Sequence, residues 1–472
     1  MILLGYLCSP IQAMLSFISF QPIRFFCANL IVIAGLPFTT MGQTPIEGNR
    51  KSNPDSTNTH QLNLHFQTTY IYQYQPAFSA KYTGVNSLKN AEDRENSITA
   101  TLNLGIKLWK GAELYFNPEI AGGSGLSGAF GLSASTNGET FRVGDPSPTL
   151  YIARGMIVQT IQIGAKGDSF VAESANETGG MKPRNYLRFY LGKMSLGDLF
   201  DVNSYSNNPR TQFMNWCLMY NGAWDYAANL RGYTYAFVTV LQQGSMAYKL
   251  ALATLPTVAN GSDLNTDLGQ EYSLNGQVER IFKINNKPGM WRLLGYYNNG
   301  DMGNYAKAIS NASPYNSPYV ISTRKLGRTK FGFGLNVEQQ INEYFGLFGR
   351  MGWNDGQNET WCFTEADQTI SAGVSIKGYK WKRPNDVIGF AIDINGLSAN
   401  HQHYLAYGGH GFQLGDGTLS YANESAAELY YNYKISTSNI WLSGDYQLVL
   451  NPGYNSDRGP VNVFSFRLHV EL

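Results

Sequence analysis

Apolar and polar residues alternate along most of this chain. Within 62–74, Leu62, Leu64, Phe66, Thr68, Tyr70, Tyr72 and Tyr74 interleave with Asn63, His65, Gln67, Thr69, Ile71 and Gln73. The segment 98–108 sets Ile98, Ala100, Leu102, Leu104, Ile106 and Leu108 against Thr99, Thr101, Asn103, Gly105 and Lys107. The end of the chain does the same, with Phe464, Phe466, Leu468, Val470 and Leu472 against Ser465, Arg467, His469 and Glu471. Successive side chains of a strand point to opposite faces, so each segment has one greasy and one wet side. Runs of this kind predict sixteen strands, near 62–74, 97–109, 112–120, 149–163, 185–193, 232–242, 246–255, 270–283, 290–297, 329–340, 343–353, 369–379, 386–395, 424–435, 438–449 and 461–472. Two of them, 232–242 and 291–297, alternate poorly.

The connectors carry a second signal. Those near 109–111, 243–245, 285–288, 341–342, 380–385 and 436–437 are short. Between them lie the long stretches 75–96, 121–148, 194–231, 256–269, 298–328, 354–368, 396–423 and 450–460. Short and long alternate, as expected of an all-β transmembrane antiparallel barrel of about 16 strands with tight periplasmic turns and long outer loops. A soluble sheet also alternates, but here the strands are long, aromatic and numerous and leave almost no sequence for a core of helices. One connector, 164–184, is long and polar where a tight turn is expected.

Composition sharpens the picture. The chain has 35 basic and 34 acidic residues, so no basic surface points to nucleic acid. Charged residues are only 15% of the chain, below the roughly 25% of soluble domains. The 31 tyrosines suit a membrane–water boundary, being apolar in body and polar at the tip. Residues 1–42 read as a secretory leader, with Arg24 before the apolar run 25–36 and small residues near Gly42, and Met14 is an alternative start. Residues 43–60 read as a polar, flexible lead-in, far below the roughly 40 residues that fold alone, which leaves no room for an N-terminal plug domain. Residues 61–472 are then one outer-membrane barrel. Cys217 and Cys362 are the cysteines beyond the leader and are expected to stay unpaired, although an exported chain meets conditions that allow a disulfide.

If the apolar faces meet lipid, the others line the lumen. They present Glu113, Tyr115, Asn117 and Glu119, then Arg188 and Tyr190, Asn336 and Glu338, Glu428, Asn432 and Lys434, Asp445 and Gln447, and finally Arg467, His469 and Glu471. Both signs are mixed with amides and phenols. Strong ion selectivity needs rings of one sign, so a neutral polar solute is the better match. The long stretch 193–232 is too polar and too broken by glycine to span a membrane, and it is expected to fold inward and narrow the pore. Sugars offer flat CH faces for aromatic rings and paired hydroxyls for carboxylate, amide and guanidinium groups. Trp216, Trp224 and Tyr226 beside Arg210, Asn215, Asn221, Asp225 and Arg231 supply both kinds. With Glu113, Glu119, Arg154 and Arg188 they make up the candidate pore-lining and substrate-binding set.

The chain also resembles the OprB-type carbohydrate-selective porins of Gram-negative outer membranes. The resemblance is carried by Gly111-Ala112-Glu113-Leu114-Tyr115-Phe116-Asn117-Pro118-Glu119, by Tyr151-Ile152-Ala153-Arg154, and by the run 191–232 with Asn221-Gly222-Ala223-Trp224-Asp225-Tyr226. The tail Asn451-Pro452-Gly453-Tyr454-Asn455 is similar as well. It implies a sixteen-stranded barrel in the outer membrane through which glucose and related sugars diffuse down their gradient. Implied partners are small sugars, the outer-membrane bilayer and the barrel-assembly machinery. No cofactor is implied, and monomer and trimer both remain open.

Three other readings compete. A general porin would share the barrel without the sugar preference. An adhesin or receptor barrel would use the long loops and leave the lumen closed. An enzyme in a barrel would need a nucleophile, a base and an orienting group in reach. Only His401, His403 and His410 near Asp416 cluster in that way, without a recognised catalytic or metal motif.

Overall fold

A computed structural model of the chain describes residues 61–139, 147–164, 167–313, 316–435 and 438–472. The leader and the lead-in lie outside the described residues. Sixteen strands close into one antiparallel barrel. In chain order they are β1 Leu62–Gln75, β2 Asp93–Trp109, β3 Ala112–Gly123, β4 Thr149–Gln162, β5 Tyr186–Met194, β6 Thr234–Gln243, β7 Met246–Ala253 and β8 Tyr272–Ile284. There follow β9 Lys287–Met302, β10 Lys325–Gln340, β11 Phe345–Asn354, β12 Gln368–Gly378, β13 Arg383–Gly396, β14 Glu424–Lys434, β15 Ile440–Leu450 and β16 Val461–Glu471. Each pairs with its sequence neighbour, and β16 returns to β1 with Thr68 opposite Val470 and Tyr74 opposite Phe464. Closure leaves no strand edge, which hydrocarbon demands because it offers no partner for a bare N–H or C=O.

The period of two sorts the faces as expected. Leu64, Leu114, Phe116, Leu250, Leu293, Phe333, Phe390 and Phe466 stand exposed on the outside, while Asn63, Thr101, Asn117, Gln277, Arg292, Asn336, Glu428 and Arg467 are buried inside. Several strands run past their predicted ends. The extensions Asp93-Arg94-Glu95-Asn96 of β2 and Asn298-Asn299-Gly300-Asp301 of β9 lie at the long-loop end of the barrel. A strand standing clear of the lipid is wet on both faces, so its alternation disappears although its pairing continues.

The long connector between β5 and β6 does fold inward, and it fills much of the lumen. Its Phe200, Met219, Trp224, Tyr226 and Ala227 join one buried cluster with Ala236, Val238 and Val240 of β6 and Leu294 and Tyr296 of β9. The weak alternation of 232–242 and 291–297 follows from this contact. Where the loop covers the wall, the inner face is apolar as well.

The connector near 164–184 is not a tight turn. It forms a two-stranded hairpin, Asp168–Val171 paired with Gly180–Pro183, between β4 and β5. Cys217 and Cys362 are both free and buried. His401 lies in helix α1 (Ala399–Ala406). It is fully buried, hydrogen-bonded to Asp367 at 3.0 Å and stacked on Tyr305 with ring centroids 4.3 Å apart. Burial alone would raise the Asp367 carboxyl, but His401 and Lys330 outweigh it and hold the group down at about 2. This arrangement packs the outer loops, and among the described residues no group of His, Cys, Asp and Glu has the geometry to hold a metal.

Candidate functional site

The polar wall residues of β8, β10, β11, β14 and β16 are largely occupied in holding the inward loop. Arg350 donates to Ser206 Oγ at 2.6 Å and to the Leu218 carbonyl at 2.9 Å, and its Nε lies 3.0 Å from Asp201 Oδ2. Asn336 donates to Asp201 Oδ1 at 2.8 Å, and Gln277 accepts the Asp201 amide at 2.9 Å. Glu338 accepts Ser204 N at 2.6 Å, and Glu428 accepts Met214 N at 2.6 Å and Asn215 N at 2.9 Å. Arg467 donates to the carbonyls of Gln212, at 2.8 Å, and Pro209. These groups face inward yet are not free to meet a solute, since their hydrogen bonds already satisfy the loop backbone.

Between the wall and the inward loop lies a cavity of about 530 Å³. Its wall carries an interleaved set of cations and anions. Arg154 grips Asp198 with two parallel bonds of 2.7 Å each. Arg210 donates to Glu139 at 2.7 Å and sits 3.7 Å from Glu119. Glu119 in turn accepts from Thr101 at 2.6 Å, from Tyr233 at 3.0 Å and from Tyr151. Arg231 lies over the Tyr151 ring at 4.2 Å, and Arg154 over the Tyr233 ring at 5.2 Å. Burial opposes the charge on Arg210, but Glu139 and Glu119 more than offset it, so its pKa stands above the ordinary guanidinium value. The Tyr233 phenol is pushed up by burial and by Glu119, which keeps it a proton donor. Bidentate arginine–carboxylate pairs are rigid and geometrically defined.

Aromatic rings complete the lining. Trp216 stacks on Phe363 at 4.6 Å with planes 4° apart, and Tyr226 stacks on Phe363 at 4.8 Å and 10°. Trp216 is 6% exposed and Tyr226 3%, so these rings cover one another's faces and offer mainly their edges. Tyr151 and Tyr220 are more open to the cavity.

Of the candidate residues, Glu119, Arg154, Arg210, Trp216, Tyr226 and Arg231 line this cavity. The others lie elsewhere. Trp224, on the loop's wall-facing side, is buried and donates its indole N–H to Asn275 at 2.9 Å. Asp225 accepts the amides of Trp361 at 3.0 Å and Cys362 at 2.7 Å, tying the loop to the connector before β12. Asn221 caps its own turn by accepting Ala223 N at 3.0 Å, and Asn215 accepts Cys217 N at 2.9 Å at the start of a four-residue helix. Glu113 and Arg188 lie toward the short-turn end, around the 168–183 hairpin. Tyr151, Tyr233, Asp198, Glu139 and Phe363 join the cavity without having been singled out. Asp198 and Tyr233 belong to or adjoin the inward loop, whereas Glu139 and Phe363 come from separate connectors that no local pattern ties to it.

Comparison with known proteins agrees with this architecture. A family model described as carbohydrate-selective porin, OprB family, matches residues 86–472. Pseudomonas putida OprB in its high-pH structure superposes with a TM-score of 0.66 at 15% identity, covering 87% of this chain and 94% of that one. The outer membrane channel DcaP of Acinetobacter baumannii gives a TM-score of 0.49 at 9% identity, over 87% of this chain and 97% of that one. No curated protein matches the chain by sequence.

Proposed function

The chain belongs to the OprB family of carbohydrate-selective porins, and from that premise we propose that it gives glucose-like sugars a passive, sugar-preferring path across the Gram-negative outer membrane. The observation that carries this reading is the cavity wall, where Arg154, Arg210 and Arg231 interleave with Asp198, Glu119 and Glu139 among phenols. Neither sign forms a ring, so the wall gives no strong preference for an ion. A sugar hydroxyl both donates and accepts, and it can exchange partners with a guanidinium or a carboxylate along such a wall. Each contact is weak and replaced by the next, which permits passage; a solute held at one tight site would not leave. Trp216, Tyr226 and Phe363 cover one another's faces, so they bound the path with apolar edges and do not stack on the solute. The porin family consists of channels, and passage needs no chemical step.

Liposomes reconstituted with the purified protein test the proposal by swelling. Glucose is expected to enter faster than an amino acid of similar size, and a disaccharide more slowly than glucose. Equal rates for all three would reduce the protein to a general porin. Absence of swelling would leave the closed adhesin barrel. Glucose-induced flicker of single-channel current is expected to weaken in Arg210→Ala and to persist in Trp224→Phe, because only the first side chain borders the cavity.

A further inference from the structure

The 168–183 hairpin sits at the short-turn end of the barrel, and its tip points into the lumen rather than away from it. Its residues Ser174 and Glu177 exchange two backbone hydrogen bonds of 3.1 Å, closing a tight turn over Ala175 and Asn176. Asn176 adopts φ +60°, a left-handed turn position that asparagine tolerates. Polar wall residues from four strands hold this tip. Asn63 of β1 donates to the Ser174 carbonyl at 3.0 Å and to Glu173 at 3.1 Å. Lys107 of β2 donates to the Gly179 carbonyl at 2.9 Å. On β3, Tyr115 Oη accepts the Thr178 amide at 3.0 Å and donates to Glu113, which also accepts the Thr178 hydroxyl and Lys182 Nζ, the latter at 2.9 Å. Arg188 of β5 lies 3.6 Å from Glu177. Thr178 is 1% exposed, so the tip is seated and not merely near the wall.

The same tip borders the cavity. Ala175, Asn176 and Glu177 line it together with Arg154, Asp198 and Arg210 of the candidate site. Asn176 Oδ1 is turned away from solvent, so what the tip offers the cavity is its bulk and the Glu177 carboxylate. The other short-end turns resolved between strands run over a few residues, such as the pair Asn285-Asn286 between β8 and β9. An ordinary turn at this place would leave Asn63, Lys107, Glu113 and Tyr115 facing open water.

We propose that the tip Ala175-Asn176-Glu177 is a second selectivity element, a periplasmic-side filter that a solute must pass after the arginine–carboxylate wall. This rests on the reading of the protein as a sugar channel. Its bulk sets the exit width, and the Glu177 carboxylate, paired with Lys182 and 3.6 Å from Arg188, lines it.

Single-channel currents and liposome swelling test it on the full-length mature protein. Excision of Asp168–Pro183 is expected to raise conductance about twofold and the ratio of trisaccharide to glucose entry by about threefold or more. An excision variant that inserts and keeps wild-type conductance and entry ratio overturns the filter. Should the excised chain fail to assemble, Asn176→Cys decides the matter. Reaction with a membrane-impermeant cationic methanethiosulfonate, which forms a mixed disulfide at that thiol, is expected to cut conductance by about a third or more. The unsubstituted protein should not respond, because Cys217 and Cys362 are 1% and 0% exposed. Labelling without a change in current overturns the proposal. A wild-type protein without conductance would instead sink the channel reading itself, a separate outcome.

Discussion

At the scale of single residues, the inward loop touches the wall so closely that some wall positions must lack a side chain. A Cβ on Gly352 would lie 2.0 Å from Asn221 Oδ1, and one on Gly334 1.9 Å from Asn221 Nδ2. Gly352→Ala is therefore expected to displace the loop and destabilise the protein by about 1–3 kcal/mol, seen as a lower urea midpoint in vesicles. Asp225 gives a titration test. Burial, against the pull of Lys330, pushes its carboxyl up to about 6 from 3.8. A carboxyl raised in the folded state contributes stability that is present below the unfolded value and is lost as pH rises through the folded one. The folded protein should thus lose stability between about pH 4 and pH 6, by on the order of 2–3 kcal/mol at most. Asp225→Asn should flatten that slope. Amide exchange at Trp361 and Cys362, corrected for intrinsic rates at each pH, reads the difference, and an unchanged slope in the variant would refute the assignment.

At the scale of elements, wall and loop form one polar structure. Arg350 alone meets Ser206, Leu218 and Asp201 from the middle of β11. Removing one partner of a buried pair strands the other, at a cost of roughly 3–5 kcal/mol. Arg350→Ala is expected to leave the barrel closed and to free the loop. Two readouts follow: faster cleavage by protease added from the outer side between β5 and β6, and noisier, larger currents. Unaltered cleavage would show that the remaining contacts, Asn336 with Asp201 and Glu428 with Met214, hold the loop without it. The same coupling explains the pattern of alternation. It is clean in β2, where wet residues such as Thr101 and Asn103 face the lumen, and blurred in β6, where the loop lies on Ala236, Val238 and Val240.

At the scale of the whole molecule, the barrel exposes large apolar residues around its outside, among them Leu62, Leu150, Leu191, Leu250, Phe333 and Ile370. A monomeric soluble protein rarely carries an apolar surface of that extent. Chain 61–472 refolded and purified is expected to stay monodisperse only in detergent or lipid, and to run faster on SDS gels before boiling than after. Monodisperse behaviour in plain buffer by ultracentrifugation would overturn the membrane barrel. The strand count, the faces of the cleanly alternating strands and, except at 164–184, the alternation of short and long connectors were legible because each is a local property: period two fixes the face, and turn residues fix the breaks. Half of the twelve candidate residues line the cavity: Arg210, Trp216, Tyr226 and Arg231 lie in the stretch 193–232 that polarity and glycine content marked, Glu119 on a polar strand face, and Arg154 in a segment marked by the family resemblance.

From the residues alone came the sheet, its closure and the inward course of 193–232, all of which follow from where apolar side chains can and cannot stand in lipid and water. Tertiary structure decided which polar groups stay open. It spends Glu428, Arg350 and Asn336 on the loop backbone, buries Trp224 and Asp225, and brings Glu139 and Phe363 to the loop from distant connectors. It also turns 168–183 into the lumen, where a polar tip finds partners on four strands. A buried polar group goes where its hydrogen bonds can be met, and that is a property of the closed barrel, not of any one segment.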